Sequence, residues 1–102
     1  MNISLFWSSN LRKDSETFNH WRHARISLST FHEATLLSHV KAGNTVRLYT
    51  YQNFDESVPI PPEISVEDGH QYYPAEDAFS ALKRGHSIAH ISDVVRLRSA
   101  VE

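Results

Sequence analysis

Runs of apolar and alternating side chains predict three strands in this chain. Ile3–Trp7 is apolar and rich in residues that favour strands, and a polar cluster at 8–10 ends it. In Thr45–Tyr51 the side chains alternate between two faces, as they do in a strand. Ile64–Val66 is a brief third candidate, followed by the turn signal Asp68-Gly69.

The rest of the chain is predicted to form one loop, indicated by prolines, and four helices, indicated by the helical spacing of apolar residues. Three of the four prolines fall in Asn53–Pro62, which predicts a loop. The first predicted helix lies within residues 10–27, is capped by Asp14 or Ser15, and carries Phe18, Trp21 and Arg22 on one face. The second is Ser29–Lys41, capped by Thr30, and the third is Pro74–Lys83. The last is Ser92–Val101, with Val94, Leu97 and Val101 as its apolar stripe. Gly43 and Gly85 are placed to end two of them.

The order of these elements favours an α/β domain with a mostly parallel sheet and right-handed crossovers. We therefore expect Ile3–Trp7 and Thr45–Tyr51 to be adjacent and parallel, with the intervening helices packed on the sheet. No repeat or composition shift divides the chain, so residues 1–102 are read as one domain. Three strands make a thin sheet, and the chain stops directly after a helix, so these elements fit poorly with a finished domain.

Composition excludes several classes of protein. Hydrophobic residues make up 40% and charged residues 22% of the 102, as in a folded domain. Ten basic and twelve acidic side chains argue against a dedicated nucleic-acid binder. No apolar run approaches the roughly 20 residues of a membrane span, and no signal peptide is recognisable, so we expect a cytoplasmic protein. The absence of cysteine excludes disulfides and thiol catalysis.

Two groups of residues could carry chemistry. Trp7 ends the first strand, where it could stack on a nucleotide base or simply pack in the core. Asp93 and Arg96 are three residues apart at the predicted start of the last helix. They could bind a sugar hydroxyl and a phosphate, or form an ordinary helix-end ion pair.

Histidine pairs offer a weaker possibility of metal binding. His20 with His23, and His86 with His90, have spacings that a helix could bring together on one face. No acidic ligand stands beside either pair, so surface or capping roles are the favoured interpretation. We therefore predict no metal site in this chain.

Four segments together resemble the glycosyltransferases whose sugar-binding region contains a DXD motif. Phe6-Trp7 is similar to the aromatic end of their first strand, and residues 43–51 are similar to their second strand with its Leu-Tyr-Thr-Tyr ending. The segment 67–74, with Asp68 and Pro74, resembles their Asp-Ala segment, and residues 88–96 resemble their Ser-Asp-x-x-Arg helix start. The four pieces occur in the family's order and span nearly the whole chain.

This resemblance implies the N-terminal, nucleotide-sugar-binding half of a GT-A fold, which is Rossmann-like, so the chain is expected to be an incomplete form of that fold. In it, Trp7 would stack on the base, and Asp93 and Arg96 would contact the donor sugar and its diphosphate. The family's DXD segment, which holds a divalent cation, has no counterpart in this sequence. We therefore expect the chain to bind a nucleotide-diphosphate sugar without transferring it, and whether it is an enzyme is left open. Mn²⁺ or Mg²⁺ is expected only if a DXD segment is supplied.

An alternative function is a non-enzymatic α/β interaction module. A thin sheet leaves an open strand edge and apolar side chains that oligomerisation could cover. Either function predicts a homo-oligomer.

Overall fold

The computed structural model describes residues 2–11 and 16–101, apart from the side chain of Phe31. Asp14 and Ser15, the predicted caps of the first helix, lie outside these residues. The elements are, in chain order, β1 (Asn2–Phe6), α1 (Phe18–His23), β2 (Arg25–Ile26), α2 (Thr30–Lys41), β3 (Thr45–Thr50), β4 (Asn53–Phe54), β5 (Ile64–Asp68), a 3₁₀ turn (Gly69–Gln71), α3 (Ala75–Lys83) and α4 (Ile88–Ala100).

The main sheet is parallel, with β3 between β1 and β5. Ile3 pairs with Val46, and Val46 pairs with Ile64 on the other side. The predicted α/β class, and the adjacent parallel placement of the first and second predicted strands, are confirmed. A second, two-residue parallel pair joins β2 to β4, so part of the predicted loop at 53–62 is a strand.

The carboxyl-terminal half of the central strand is buried on both faces, as is usual in parallel sheets. Val46 and Leu48 pack in one core cluster with Leu36 of α2. Tyr49 and Tyr51 point to the other face, where they pack in a second cluster with side chains from α1, α3 and α4. We call these two sides the α2 face and the α4 face.

Helix boundaries differ from prediction at two N-termini. The cap of α2 is Ser29, whose hydroxyl accepts the His32 backbone N–H, rather than Thr30. Helix α4 begins at Ile88 with Ser87 as its cap, so the predicted start at Ser92 was wrong. The predicted helix ends are confirmed, because Gly43 and Gly85 follow α2 and α3 with φ of 86° and 92°.

Within residues 2–11 and 16–101, no helix combines the length and the apolar character needed to cross a bilayer.

Candidate functional site

An open cleft of about 380 Å³ lies where β3 and β5 end. Its walls come from α1 and from the residues at the carboxyl ends of the two strands, and we call it the carboxyl-edge cleft: Arg22, His23, Thr50, Tyr51, Gln52, Asn53, Val66, Glu67 and Asp68. In open α/β sheets, ligands bind beyond the carboxyl ends of the strands. The cleft therefore occupies the position where this architecture usually binds small molecules.

Helix α1 places Arg22 in the cleft. The helix has only six residues, too few to be stable through helix propensity alone. Trp21, the residue before Arg22 in α1, is fully buried, and its indole Nε1 donates to the Ser9 carbonyl at 2.8 Å. This buried anchor holds α1 against the sheet, so Arg22 is positioned by packing rather than by helix propensity.

The guanidinium of Arg22 joins the ends of β3 and β5. Its Nη2 donates to Asp68 Oδ2 at 2.7 Å, and its Nη1 donates to the carbonyl of Tyr51. The Arg22 side chain is largely buried, whereas the Asp68 carboxylate is 53% exposed. Asp68 therefore presents a carboxylate to solvent in the cleft, although each of its oxygens already accepts one hydrogen bond, Oδ2 from Arg22 and Oδ1 from the His70 backbone N–H.

The electrostatics of this pair keep Asp68 ionised. Partial burial alone would raise the pKa of Asp68. The hydrogen bonds from Arg22 and from the His70 backbone N–H, together with the charges of Arg22 and His70, lower it by more, so the pKa of Asp68 lies below its usual range. At neutral pH the cleft therefore contains a carboxylate acceptor beside a guanidinium.

Gln52 fixes the floor of the cleft. Its side chain is 3% exposed, and its Oε1 accepts hydrogen bonds from the Ser8 hydroxyl and from the Ser9 backbone N–H at 3.1 Å. Its Nε2 donates to the Trp21 carbonyl at 3.1 Å. One amide thus links the end of β1, the end of β3 and the last turn of α1.

Tyr51 forms the link between the cleft and the segment that follows β5. Its hydroxyl donates to the Tyr73 carbonyl at 2.6 Å. Burial, with Tyr73 and Asp68 nearby, raises the pKa of Tyr51 well above its usual value, against the smaller opposing effect of Arg22 and Arg98. The Tyr51 phenol therefore stays protonated and acts as a structural donor.

The structure places Trp7 on the α2 face of the sheet. Its Nε1 donates to the Ser27 carbonyl at 3.0 Å, and its ring lies 3.9 Å, centre to centre, from the His32 ring. It packs against the cluster that contains Leu28 and Leu36. Trp7 is partly buried and is not among the residues that line the carboxyl-edge cleft.

Asp93 and Arg96 lie on α4, which covers the opposite face. Their side chains are largely exposed and form an ion pair at 3.8 Å. Asp93 is the sixth residue of α4 and not its first turn. Arg98, near the other end of α4, donates to the Tyr72 carbonyl just after β5, so the C-terminal end of α4 lies near the carboxyl edge. The expected convergence of Trp7, Asp93 and Arg96 on one surface is therefore absent from the structure, and their role in binding stays a prediction.

The histidine pairs occupy surface positions. The His86 and His90 rings stack at 5.5 Å, and His23 Nδ1 lies 3.1 Å from the Asn19 carbonyl. Within the described part of the chain, no three His, Asp or Glu side chains are grouped to hold a metal ion.

Sequence reasoning missed the residues that build the cleft. Arg22 was assigned only to a helix face, Asp68 only to a turn and to the family resemblance, and Gln52 to no role. One signal could have found two of them: Gln52 and Asp68 stand at the carboxyl ends of predicted strands, where parallel sheets bind ligands. No local pattern indicates Arg22, which lies 46 residues before Asp68.

Comparisons of the chain with protein-family models, with curated proteins and with solved structures found no match. The resemblance to DXD-containing glycosyltransferases therefore stays a prediction that rests on four short segments of sequence.

The Arg22–Asp68 contact is expected to stabilise the protein less as the pH falls below about 4. Because the pKa of Asp68 is lower in the folded state, its contribution is complete above the unfolded value of about 3.9 and is lost as the pH falls through the folded value. The exposure of Asp68 limits the contribution to about 1 kcal/mol or less.

Urea unfolding of the native protein and of Asp68→Asn at a series of pH values measures this effect. The difference in unfolding free energy should be largest near neutral pH and should shrink towards acid. Glu63→Gln is the matched control, because Glu63 is exposed and forms no ion pair among the described residues. A difference for Asp68→Asn that does not change with pH would contradict the assignment.

Proposed function

We propose that this chain is the nucleotide-binding part of a glycosyltransferase-like protein, and that the carboxyl-edge cleft takes the nucleoside end of a nucleotide-diphosphate sugar. One observation carries the proposal: an ionised, half-exposed Asp68 is held by Arg22 at the carboxyl end of a parallel strand.

The size of the cleft supports a small-molecule ligand. Its volume of about 380 Å³ is within the range of roughly 300–1,000 Å³ that is usual for such sites. This space suits a nucleoside and leaves the diphosphate and sugar outside, towards solvent.

The chemistry of the lining suits a ribose and a base. Both oxygens of Asp68 have further lone pairs that can accept hydrogen bonds from ribose hydroxyls. Arg22 uses two of its N–H groups within the protein, and its charge favours a nearby phosphate. Asn53 adds an amide that can both donate to and accept from the edge of a base.

The resemblance supports the same ligand class. Asp68 stands in the segment that resembles the family's Asp-Ala segment, and Tyr51 ends the segment that resembles its second strand. Both segments border the carboxyl-edge cleft. The proposal assigns no role to a metal ion.

Nucleoside diphosphates should raise the thermal unfolding midpoint of the chain. The probes are UDP, GDP and ADP, each tested without added metal, and a ligand at 100 times its Kd stabilises the folded state by about 2.7 kcal/mol. Asp68→Asn should weaken the binding about tenfold, because it removes a charged hydrogen-bond acceptor. Calorimetric titration gives the affinities.

Two further variants make the experiment decisive. Glu63→Gln changes the charge equally outside the cleft and should leave the affinity unchanged. Asp93→Asn tests whether the ligand binds instead at the residues on α4 that the sequence predicted. A loss of affinity in Asp93→Asn, with none in Asp68→Asn, would contradict the cleft as the binding site. Stabilisation by none of the three diphosphates would contradict the proposal as a whole.

A second candidate function, an oligomeric interaction module, is favoured by the end of α4. Leu97 is 68% exposed and Val101 is 84% exposed, whereas Val94 is half-buried. Covering a leucine or valine side chain contributes about 1.5–3 kcal/mol. A second copy of this chain would remove these side chains from water.

Self-association is therefore expected, with a weight-average mass in sedimentation velocity that rises with concentration. Leu97→Glu should lower the association, because it places a charge in the apolar contact. Ala89→Glu adds the same charge to an exposed position at the other end of α4 and should leave association unchanged. A strict monomer at high micromolar concentration would refute this prediction.

A further inference from the structure

A second cavity, of about 390 Å³, lies between α3 and the C-terminal half of α4. Its lining residues are Tyr73, Pro74, Asp77, Ser80, Arg84 and Arg98. None of these residues lines the carboxyl-edge cleft. The cavity is therefore a separate candidate site, and a ligand bound in it would not depend on the proposed function of the cleft.

Arg98 is held in place without being neutralised. Its Nη1 donates to the Tyr72 carbonyl at 2.6 Å, and its guanidinium lies 5.6 Å from the centre of the Tyr73 ring. The ion pairs of residues 2–11 and 16–101 do not include Arg98. A charge that is fixed by a carbonyl and an aromatic ring remains available to an anion.

Arg84 brings a second positive charge to the same cavity. It follows the last residue of α3, and its backbone N–H bonds to the Ser80 and Ala81 carbonyls. No carboxylate in the described part of the chain pairs with its guanidinium. Because Arg84 and Arg98 both line the cavity, an anion bound in it would be attracted by two positive charges.

We infer that this cavity binds an oxyanion group, either a phosphate or a carboxylate, carried by a small hydroxylated molecule. The two guanidinium groups supply N–H donors in the forked geometry that matches an oxyanion. The Ser80 hydroxyl can donate a further hydrogen bond. The Asp77 carboxylate lines the same cavity. Its negative charge repels the anion, and its oxygens can accept hydrogen bonds from hydroxyl groups next to that anion.

Because Arg84 and Asp77 carry opposite charges, neutralising each of them should change the affinity for an anion in opposite directions. Inorganic phosphate and sodium acetate are the probes, each compared with sodium chloride at equal ionic strength. Isothermal titration should show binding that Arg84→Gln weakens about tenfold or more, because it removes a charge-assisted contact. Asp77→Asn should strengthen the binding, because it removes a negative charge from the cavity.

The matched control is Arg47→Gln. Arg47 is exposed on β3 and does not line the cavity, so the same change of side chain and of net charge should leave the affinity as it is. Binding of phosphate alone would identify a phosphoryl ligand, and binding of acetate as well would identify a carboxylate ligand. Equal weakening in Arg84→Gln and Arg47→Gln, weakening in Asp77→Asn, or no response beyond that to chloride would each overturn the inference.

Discussion

Replacing Trp21 by alanine is expected to lower the free energy of unfolding by about 3–5 kcal/mol. Trp21 is fully buried, and its ring packs at 5.5–6.3 Å, centre to centre, from the rings of Phe18, Tyr51 and Phe79. The change leaves a large cavity and also removes the donor to the Ser9 carbonyl. Since small domains are stable by only about 5–15 kcal/mol, this one substitution removes a large share of the total.

Chemical denaturation of the native protein and of two further variants measures the effect. Trp21→Phe keeps most of the ring volume but loses the indole donor, so its loss should be clearly smaller. Glu63→Ala is the surface control, and because Glu63 is exposed and forms no ion pair among the described residues it should change stability by about 0.5 kcal/mol or less. A loss of less than about 1 kcal/mol in Trp21→Ala would show that Trp21 does not anchor α1.

The parallel sheet could be predicted because its strands carry strong local signals. The side chains of Thr45–Tyr51 alternate between two faces, and the helices between the first and second predicted strands leave a parallel crossover as their natural connection. The strand β4 carries no such signal. It has two residues in a proline-rich segment, and only its pairing with β2 makes it a strand.

The start of α4 was misplaced because the wrong apolar stripe was chosen. The spacing of Val94, Leu97 and Val101 is helical, yet Leu97 and Val101 are exposed. The side that packs on the sheet carries Ile91 and Val95, which are fully buried. Both stripes are compatible with one helix, and only the position of the sheet decides which one is buried.

The candidate site depends on tertiary placement even more strongly. Trp7, Asp93 and Arg96 were grouped by the family resemblance, and their convergence requires the N-terminus of the last helix to lie at the carboxyl edge of the sheet. Helix α4 instead follows α3 and brings its C-terminal end to that edge, through the contact of Arg98 with Tyr72. No sequence pattern specifies the direction of a helix that is preceded by another helix.

Gln52→Met is expected to lower the free energy of unfolding by about 3 kcal/mol. The variant keeps a side chain of similar length but removes the amide that serves Ser9, Ser8 and Trp21. The Trp21 carbonyl is in the last turn of α1, so no backbone N–H within the helix can donate a hydrogen bond to it. Each buried polar group that loses its partner costs about 1–3 kcal/mol, which is more than a satisfied hydrogen bond contributes.

A double-mutant cycle with Ser8→Ala separates this effect from a general loss of packing. The Ser8 hydroxyl is buried and donates to Gln52, so Gln52→Met leaves it without a partner, whereas the double variant removes both polar groups together. The double variant should therefore lose about 1 kcal/mol less than the sum of the two single losses. Gln71→Met, at an exposed position in the 3₁₀ turn, is the matched control and should have almost no effect. Strictly additive losses for Ser8 and Gln52 would mean that the amide contributes by filling space, and the network at the floor of the carboxyl-edge cleft would then not be what joins α1 to the sheet.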